Sequence, residues 1–374
     1  MHIENSLTLK VAKFTSLKFK GIAILFKILI MTSKKRSPLL LLFIIVVILA
    51  FAAFRIFGSN TDFSEQKKSF YIKTGSNFTE VMTALKEQKI LKNPGTFNLI
   101  AQQLKYDKNV KPGKYIIGNG SSIYDIARIL KSGKQTPVNL VIIKLRTKED
   151  LAQRLGNNFE SDSSSFMDVL NNNDSLIKLG LDTNTVMIAV IPNTYTILWN
   201  TSANKIFKKL FTEQQKFWSA DRKTKAANLN LSPKEVYTLA SIVEEESNKE
   251  EDKGKIASVY LNRMRTGMRL SSDPTVIFAL KDFTIRRVYK KYLQFQSPYN
   301  TYLNSGLPPG PICTPSIKTI DAVLNAPVTN YLYFVAQPNL TGYSNFATSY
   351  QEHQAFAKLY QDWLTAYLEA KRGN

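Results

Sequence analysis

Apolar positions along the chain fall into three patterns. Pro38 to Phe54 (PLLLLFIIVVILAFAAF) is apolar on every side and carries no charge. Extended by Ile56 and Phe57, a helix rising about 1.5 Å per residue just spans a hydrocarbon core of roughly 30 Å, so the run predicts a membrane anchor. A second pattern repeats weakly between Phe70 and Ile143. FYIKTGSNFTEVMTALKEQ and KYIIGNGSSIYDIARILKSG each give a short β-type run, a Gly/Ser turn and a helix with apolar residues at helical spacing. A third relative, LVIIKLRTKEDLAQRL (Leu140 to Leu155), begins the next region, with Thr147 as helix cap and Glu149 and Asp150 in the first turn.

The most strongly signalled helix begins at Ser232. Ser232 is placed as N-cap, Pro233 occupies the first helical position, and Glu235 stands where a capping box requires it. Val236, Leu239, Ala240 and Val243 then recur every three or four residues as a buried face, and Glu244, Glu245 and Glu246 follow directly. A further run of Ile256, Val259, Tyr260 and Met264 predicts a second helix, stopped by Gly267. Toward the C-terminus a strand is expected over Tyr331 to Val335. Ser349 and Glu352 should cap a helix whose Phe356, Leu359, Tyr360, Trp363 and Tyr367 form an aromatic core face.

Charge adds orientation. The formal net charge is +21, which suits a polyanionic partner without choosing among nucleic acid, anionic membrane and cell-wall polymer. Lys10, Lys13, Lys18, Lys20, Lys27, Lys34, Lys35 and Arg36 precede the apolar run against the single acid Glu4. The positive-inside bias puts residues 1–37 in the cytoplasm and everything after Gly58 outside. No small-x-small cleavage site follows the run, so it reads as an uncleaved single-pass anchor over residues 38–57, and residues 1–30 look like an over-long start. Residues 58–69 are polar and read as a tether. The lone Cys313, with only His2 and His353, lacks the ligand set of an ordinary zinc site, so neither a metal nor a cofactor is expected. The insert DFTIRRVYKK (Asp282 to Lys291) is strongly basic and reads as a solvated face, with contact to anionic wall peptides as the alternative.

Several ordered segments, LASIVEEES, IASVYLNRMRTGMRL, SSDPTV, SPYNTY, GLPPGPI and YLYFVA, resemble the hallmarks of the YceG-like endolytic murein transglycosylases. The resemblance covers most of the chain after about Phe70. It implies an α+β architecture: the transmembrane helix, a LysM-like module over 70–139, and a mixed helix-and-sheet catalytic domain over 140–374. It also implies a lyase of the inner (cytoplasmic) membrane with its catalytic domain outside. That enzyme would cut nascent peptidoglycan strands to leave 1,6-anhydro-N-acetylmuramic acid ends, with glycan strands and cell-wall synthases, and no nucleic acid, as partners. One departure stands out. IAVIPNTY (Ile188 to Tyr195) has Asn193 where the family pattern has Asp, and the Glu-Gly that usually precedes it is absent.

Cutting a glycosidic bond requires a carboxylic acid that is still protonated near neutral pH, and apolar neighbours supply that by penalising the charge. Glu244 follows Ile242 and Val243 and matches the family's catalytic glutamate. Glu246 matches a second acid, as alternative or as substrate-holding partner, and Glu245 falls on a variable position. Asn262, Asp273, Thr275, Tyr299 and Asn300 lie in the family segments and are expected to line the groove. Each also has a structural role open to it: Asp273 as a helix cap, Asn262 as a backbone tie. A hydrolase would need a second carboxylate, for which Asp273 is the candidate, whereas a lytic enzyme uses the substrate's own C6 hydroxyl. A muramidase that uses water and a catalytically idle glycan-binding scaffold are the competing functions.

Overall fold

The structure, a computed structural model, describes residues 38–372. The basic tail expected over 1–37 lies outside the described residues. The first helix, α1 (Pro38–Phe57), is long and apolar enough to cross a membrane, and none of its residues is buried.

The remaining chain divides into two compact units. One contains α1 and most of residues 58–134. Here β1 (Lys67–Ile72) pairs with β2 (Gly113–Gly118), and α2 (Phe78–Glu87), α3 (Pro94–Gln103) and α4 (Ile123–Ser132) accompany them. The repeat seen in the sequence is therefore a pair of strand-turn-helix pieces, with α3 interposed where no repeat signalled it. Asn77 and Glu80 form a full capping box on α2, and Ser122 caps α4. The core is made by Phe70, Val81, Leu85, Phe97, Tyr115 and Ile126, each no more than 2% exposed.

The stretch read as a tether is woven into this unit. Asn60 and Thr61 are each 3% exposed. Asn60 N–H donates to Ser121 O, Asp62 N–H donates to Ile90 O, and Lys92 N–H donates to Asn60 O. Polar side chains made the segment look solvated, but Asn60 Oδ1 and Thr61 Oγ1 accept backbone bonds from Asn93 and Gly120. The last turn of α1 is pinned as well: Arg55 Nη2 donates to Asn93 Oδ1 at 2.8 Å, and the Phe57 and Tyr124 rings lie 5.5 Å apart.

The second unit comprises chiefly residues 135 onward. β3 (Val138–Val141) pairs antiparallel with β4 (Thr194–Ile197), Val138 opposite Ile197 and Leu140 opposite Tyr195. These four are buried while the alternate residues face outward, as the two-residue period of a strand requires. Between the strands run α5 (Lys148–Gly156), α6 (Ser163–Asn171), α7 (Asn173–Ile177) and a 3-10 turn (Val186–Ala189). Thr147 caps α5 as expected, and Asp150 reaches back to complete a capping box. Next come α8 (Ala203–Phe217) and α9 (Ala220–Asn228), then α10 (Pro233–Glu246) and α11 (Glu250–Arg265).

α10 is the axis of this unit. Its capping box and Pro233 fix its start as the sequence predicts. It is not half-buried, however: all of Val236 to Val243 is buried, including Tyr237, Thr238 and Ser241. The helix is enclosed by α9, α11, the 3-10 turn, α12 (Asp273–Leu280) and α13 (Ile317–Leu324). Its polar side chains are satisfied internally, Tyr237 OH donating to Val190 O and Ser241 Oγ donating to Thr238 O. Gly267, at φ +72°, stands just past α11, as expected of a left-handed stop.

The hairpin β5 (Tyr333–Ala336) and β6 (Ser344–Ala347) and the helix α14 (Tyr350–Arg372) close the chain. Two expectations change here. Ser349 Oγ accepts from Glu352 N, but Glu352 reaches back to Thr348 N rather than to Ser349, so the box is one residue longer than drawn. None of the side chains described in α14 is buried, so its aromatic stripe is not core. Its first turn meets the hairpin where Tyr333 stacks on His353 at 5.2 Å.

Candidate active site

Three consecutive glutamates end α10. Successive residues on an α-helix are about 100° apart, so the three carboxylates fan out toward three different surroundings. Glu244 points to the start of α13. Its Oε2 accepts from Ser316 N (3.3 Å), from Ser316 Oγ (3.0 Å) and from Thr319 Oγ1, and lies 3.4 Å from Lys253 Nζ. Lys253 is buried on α11 and also pairs with Glu250 at 2.8 Å. Every one of these contacts falls on a single oxygen. Among the described residues Oε1 of Glu244 has no hydrogen-bond partner, so one oxygen is anchored and the other is available.

Glu245 turns to the other side, where Lys144 Nζ is 3.0 Å from Oε1 and Arg146 Nη2 is 2.8 Å from Oε2. Burial pushes this carboxyl up, but the hydrogen bonds and charges of Arg146 and Lys144 outweigh it and hold it below the ordinary glutamate value.

Glu246 lies against α11 and α12. Its Oε1 accepts from Tyr260 OH and Ser272 Oγ, both at 2.5 Å. Burial raises its pKa, and the nearby Asp273 charge adds to the rise. The two hydroxyl bonds and Arg263 oppose this without cancelling it. The surroundings of Glu246 therefore resist ionisation, whereas those of Glu245 favour it.

Glu244 opens on a cleft of about 350 Å³ lined by residues 141–144, residues 192–194 and Ser316. The cleft wall is the continuation of the β3–β4 ladder, where Ile142 N–H donates to Asn193 O. A larger recess, about 520 Å³, lies in the first unit beside Thr61 and Lys68. It contains Asp62 and Glu65, but neither carboxylate has the converging donors that hold Glu244, so size does not choose the site.

The other residues expected in the groove are engaged elsewhere. Asn262 Nδ2 donates to Thr329 O and Tyr331 O, both at 2.9 Å, tying α11 to the segment before β5. Thr275 is fully buried and its hydroxyl donates to Ser272 O at 2.7 Å. Asn300, also fully buried, donates to Leu293 O and Phe295 O and accepts from Tyr302 N. Asp273 is exposed at the first turn of α12 and accepts from Tyr302 OH at 2.7 Å. Tyr299 rests on Phe278 with ring centroids 4.8 Å apart, and burial, helped by the Asp182 charge, pushes its phenol up to about 12. His353 is half-buried, and its pKa is lowered by burial and by the Arg263 charge.

Sequence reasoning missed Lys253, Ser316, Thr319 and residues 141–144. One signal was present: Ser316 followed by Ile317 and, three residues on, Thr319 is an N-cap pattern, and Ser316 does cap α13. Nothing in the local sequence shows that this cap, 72 residues downstream, meets Glu244.

A model of the YceG-like family matches residues 70–358 of this chain. A Bacillus subtilis protein named endolytic murein transglycosylase is 36% identical over 161 residues, 43% of this chain and 44% of its own length. A Streptococcus pneumoniae protein of the same name is 26% identical over 312 residues, 75% of this chain and 56% of its own. The chain thus spans about half the length of the curated relatives it matches. The crystal structure of a YceG-like protein from Listeria monocytogenes, 28% identical, superposes with a TM-score of 0.53 over 78% of this chain and 99% of that one.

Proposed function

The chain belongs to the YceG-like family, and on that premise we propose that it is a peptidoglycan lytic transglycosylase with Glu244 as its catalytic acid. The observation that carries this reading is the anchoring of one Glu244 oxygen by Ser316 and Thr319 while the other stays open beside the cleft. The names of the relatives, endolytic murein transglycosylase, point to the same substrate.

In this mechanism the protonated Glu244 gives its proton to the glycosidic oxygen as that bond breaks and an oxocarbenium-like centre forms at C1 of N-acetylmuramic acid. The C6 hydroxyl of the same sugar attacks C1 and passes its proton to the carboxylate. A 1,6-anhydro end forms and the acid is restored. No water is consumed, because intramolecular attack has a high effective molarity. Mass spectrometry of strands cut by the full chain in detergent should show chain ends lighter by one water than hydrolysed ends. Reducing ends alone would make it a muramidase, and no cleavage would leave the scaffold reading.

Glu246 is the second reading for the acid, on the specific ground that burial favours its protonated form. Its oxygen is already engaged by Tyr260 and Ser272, and it does not line the cleft, so Glu244 is preferred. Glu246, Asn262, Asp273, Thr275, Tyr299 and Asn300 then hold the scaffold around the cleft rather than the sugar.

The unit around β1 and β2 is proposed as the LysM-like, glycan-contacting module (70–139), residues 140–374 as the catalytic domain, and cell-wall synthases as partners. α1 is proposed to anchor the chain in the cytoplasmic membrane, with residues 1–37 inside and the rest outside. A C-terminal reporter that works only outside the cytoplasm should be active; activity of a cytoplasm-only reporter there would reverse the orientation.

A further inference from the structure

A second groove, about 390 Å³, opens from the same wall as the Glu244 cleft, and Lys144 lines both. Beyond Lys144 it runs past Arg146, Gln153, Arg154 and Asn157 to Phe283. Its cations are held in place. Lys144 and Arg146 share the Glu245 carboxylate, and the Arg146 guanidinium lies over the Phe283 ring at 5.0 Å. Arg154 donates twice to Val141 O, at 3.1 and 2.7 Å, which ties the groove to the cleft wall.

Its acids are already occupied. Glu245 faces two cations, and Asp150 Oδ2 accepts from Arg146 N and Thr147 N at the α5 cap. Three cations thus stand against two engaged carboxylates. Phe283 also belongs to the basic insert, whose Arg286, Arg287, Lys290 and Lys291 are exposed and form no salt bridge with any described residue. The insert's only acid, Asp282, is taken up by Thr284 N and Oγ1. Three residues of chain reach at most about 10 Å, so Arg286 stays close to the groove that Phe283 lines.

We propose that this groove and the insert recognise carboxylates on the stem peptides of a glycan strand whose backbone lies in the Glu244 cleft. The proposal rests on the transglycosylase reading of that cleft and adds the part of the substrate that selects where the strand is engaged. A strand threaded past Glu244 must project its substituents sideways, and the side reached through Lys144 is cationic. Solvated cations in such an arrangement attract ionised carboxylates with an affinity that salt weakens.

The test uses the full chain in detergent and two fluorescent substrates, strands with intact stem peptides and the same strands stripped of peptides by an amidase. Binding is measured in the Glu244→Gln background, so that no strand is cut. The combined Arg286→Gln, Arg287→Gln, Lys290→Gln and Lys291→Gln variant should bind intact strands roughly ten-fold more weakly, as several exposed ion pairs together would require. Its loss on stripped strands should be at least five-fold smaller, and adding salt should shrink the difference. Equal losses on both substrates, or none on either, would overturn the proposal. Should the unmutated chain cut neither substrate, the transglycosylase reading fails, while the binding comparison still reports on the insert.

Discussion

Glu244→Gln should lower turnover on peptidoglycan strands by roughly 100- to 10,000-fold, the usual worth of general acid catalysis. Glutamine keeps the shape and can still accept from Ser316 and Thr319, but it has no proton to transfer. Folding should survive, because Lys253 keeps its 2.8 Å partner Glu250 when the Glu244 charge is removed. The melting temperature should stay within about 3 °C, which corresponds to roughly 1 kcal/mol for a domain of this size. Glu245→Gln should stay within a few-fold, since that carboxylate aligns Lys144 and Arg146 and does not face the cleft. Glu246→Gln should fall between the two. The readout is anhydro-end formation by the three purified variants. A deeper loss in Glu246→Gln than in Glu244→Gln would transfer the acid's role to Glu246, whose pKa burial raises.

Gly310→Ala should be the most destabilising single-methyl change in the loop that supports the site. A Cβ at Gly310 would meet Asn184 O at 2.2 Å and Asn184 C at 2.8 Å, both backbone atoms, with Tyr299 OH at 3.2 Å. No side-chain rotation relieves that contact, so the backbone must move. Overpacking of this kind costs about 1–3 kcal/mol and occasionally more, or roughly 3–9 °C in melting temperature. Gly306→Ala is the control. Gly306 is left-handed at φ +81° with nothing within 4 Å of the added methyl, so it should lose only the left-handed penalty of about 1 kcal/mol. Equal melting of the two variants would refute the close approach. Activity should fall in Gly310→Ala as well. Its loop continues into Ile312, whose N–H donates to Ser241 Oγ, and Thr314, which exchanges bonds with Leu145, before reaching Ser316.

Local chemistry was legible in the sequence where it acts over a few residues. The capping box at Ser232, the cap at Thr147, the stop at Gly267 and the strand-turn-helix repeat all stand as read, because each depends on nearby residues. Contacts across many residues were not legible. The polar tether failed to read as structure because the bonds that bury Asn60 and Thr61 come from Asn93 and from Gly120 and Ser121. α10 read as amphipathic because its buried Tyr237 and Ser241 look like surface positions until their partners, Val190 O and Thr238 O, are supplied. α14 shows the converse: its periodicity predicts a buried face, but periodicity does not reveal whether anything covers it. At the proposed site the sequence singles out Glu244, whereas the Ser316 cap and Lys253 that hold its carboxylate were not legible.

The pinned segment after α1 also limits how the chain can use its proposed anchor. A free leash of about twelve residues would let whatever it carries wander over a root-mean-square distance on the order of 20 Å. Here the residues after Phe57 are stitched to α3, α4 and the turns beside them, and Arg55 is bonded to Asn93, so that slack is absent. The β1–β2 unit therefore rides on the helix like a rudder on its post. Tilt and rotation of α1 within a bilayer become tilt and rotation of that unit, and its distance from the surface is set by packing rather than averaged by chain entropy.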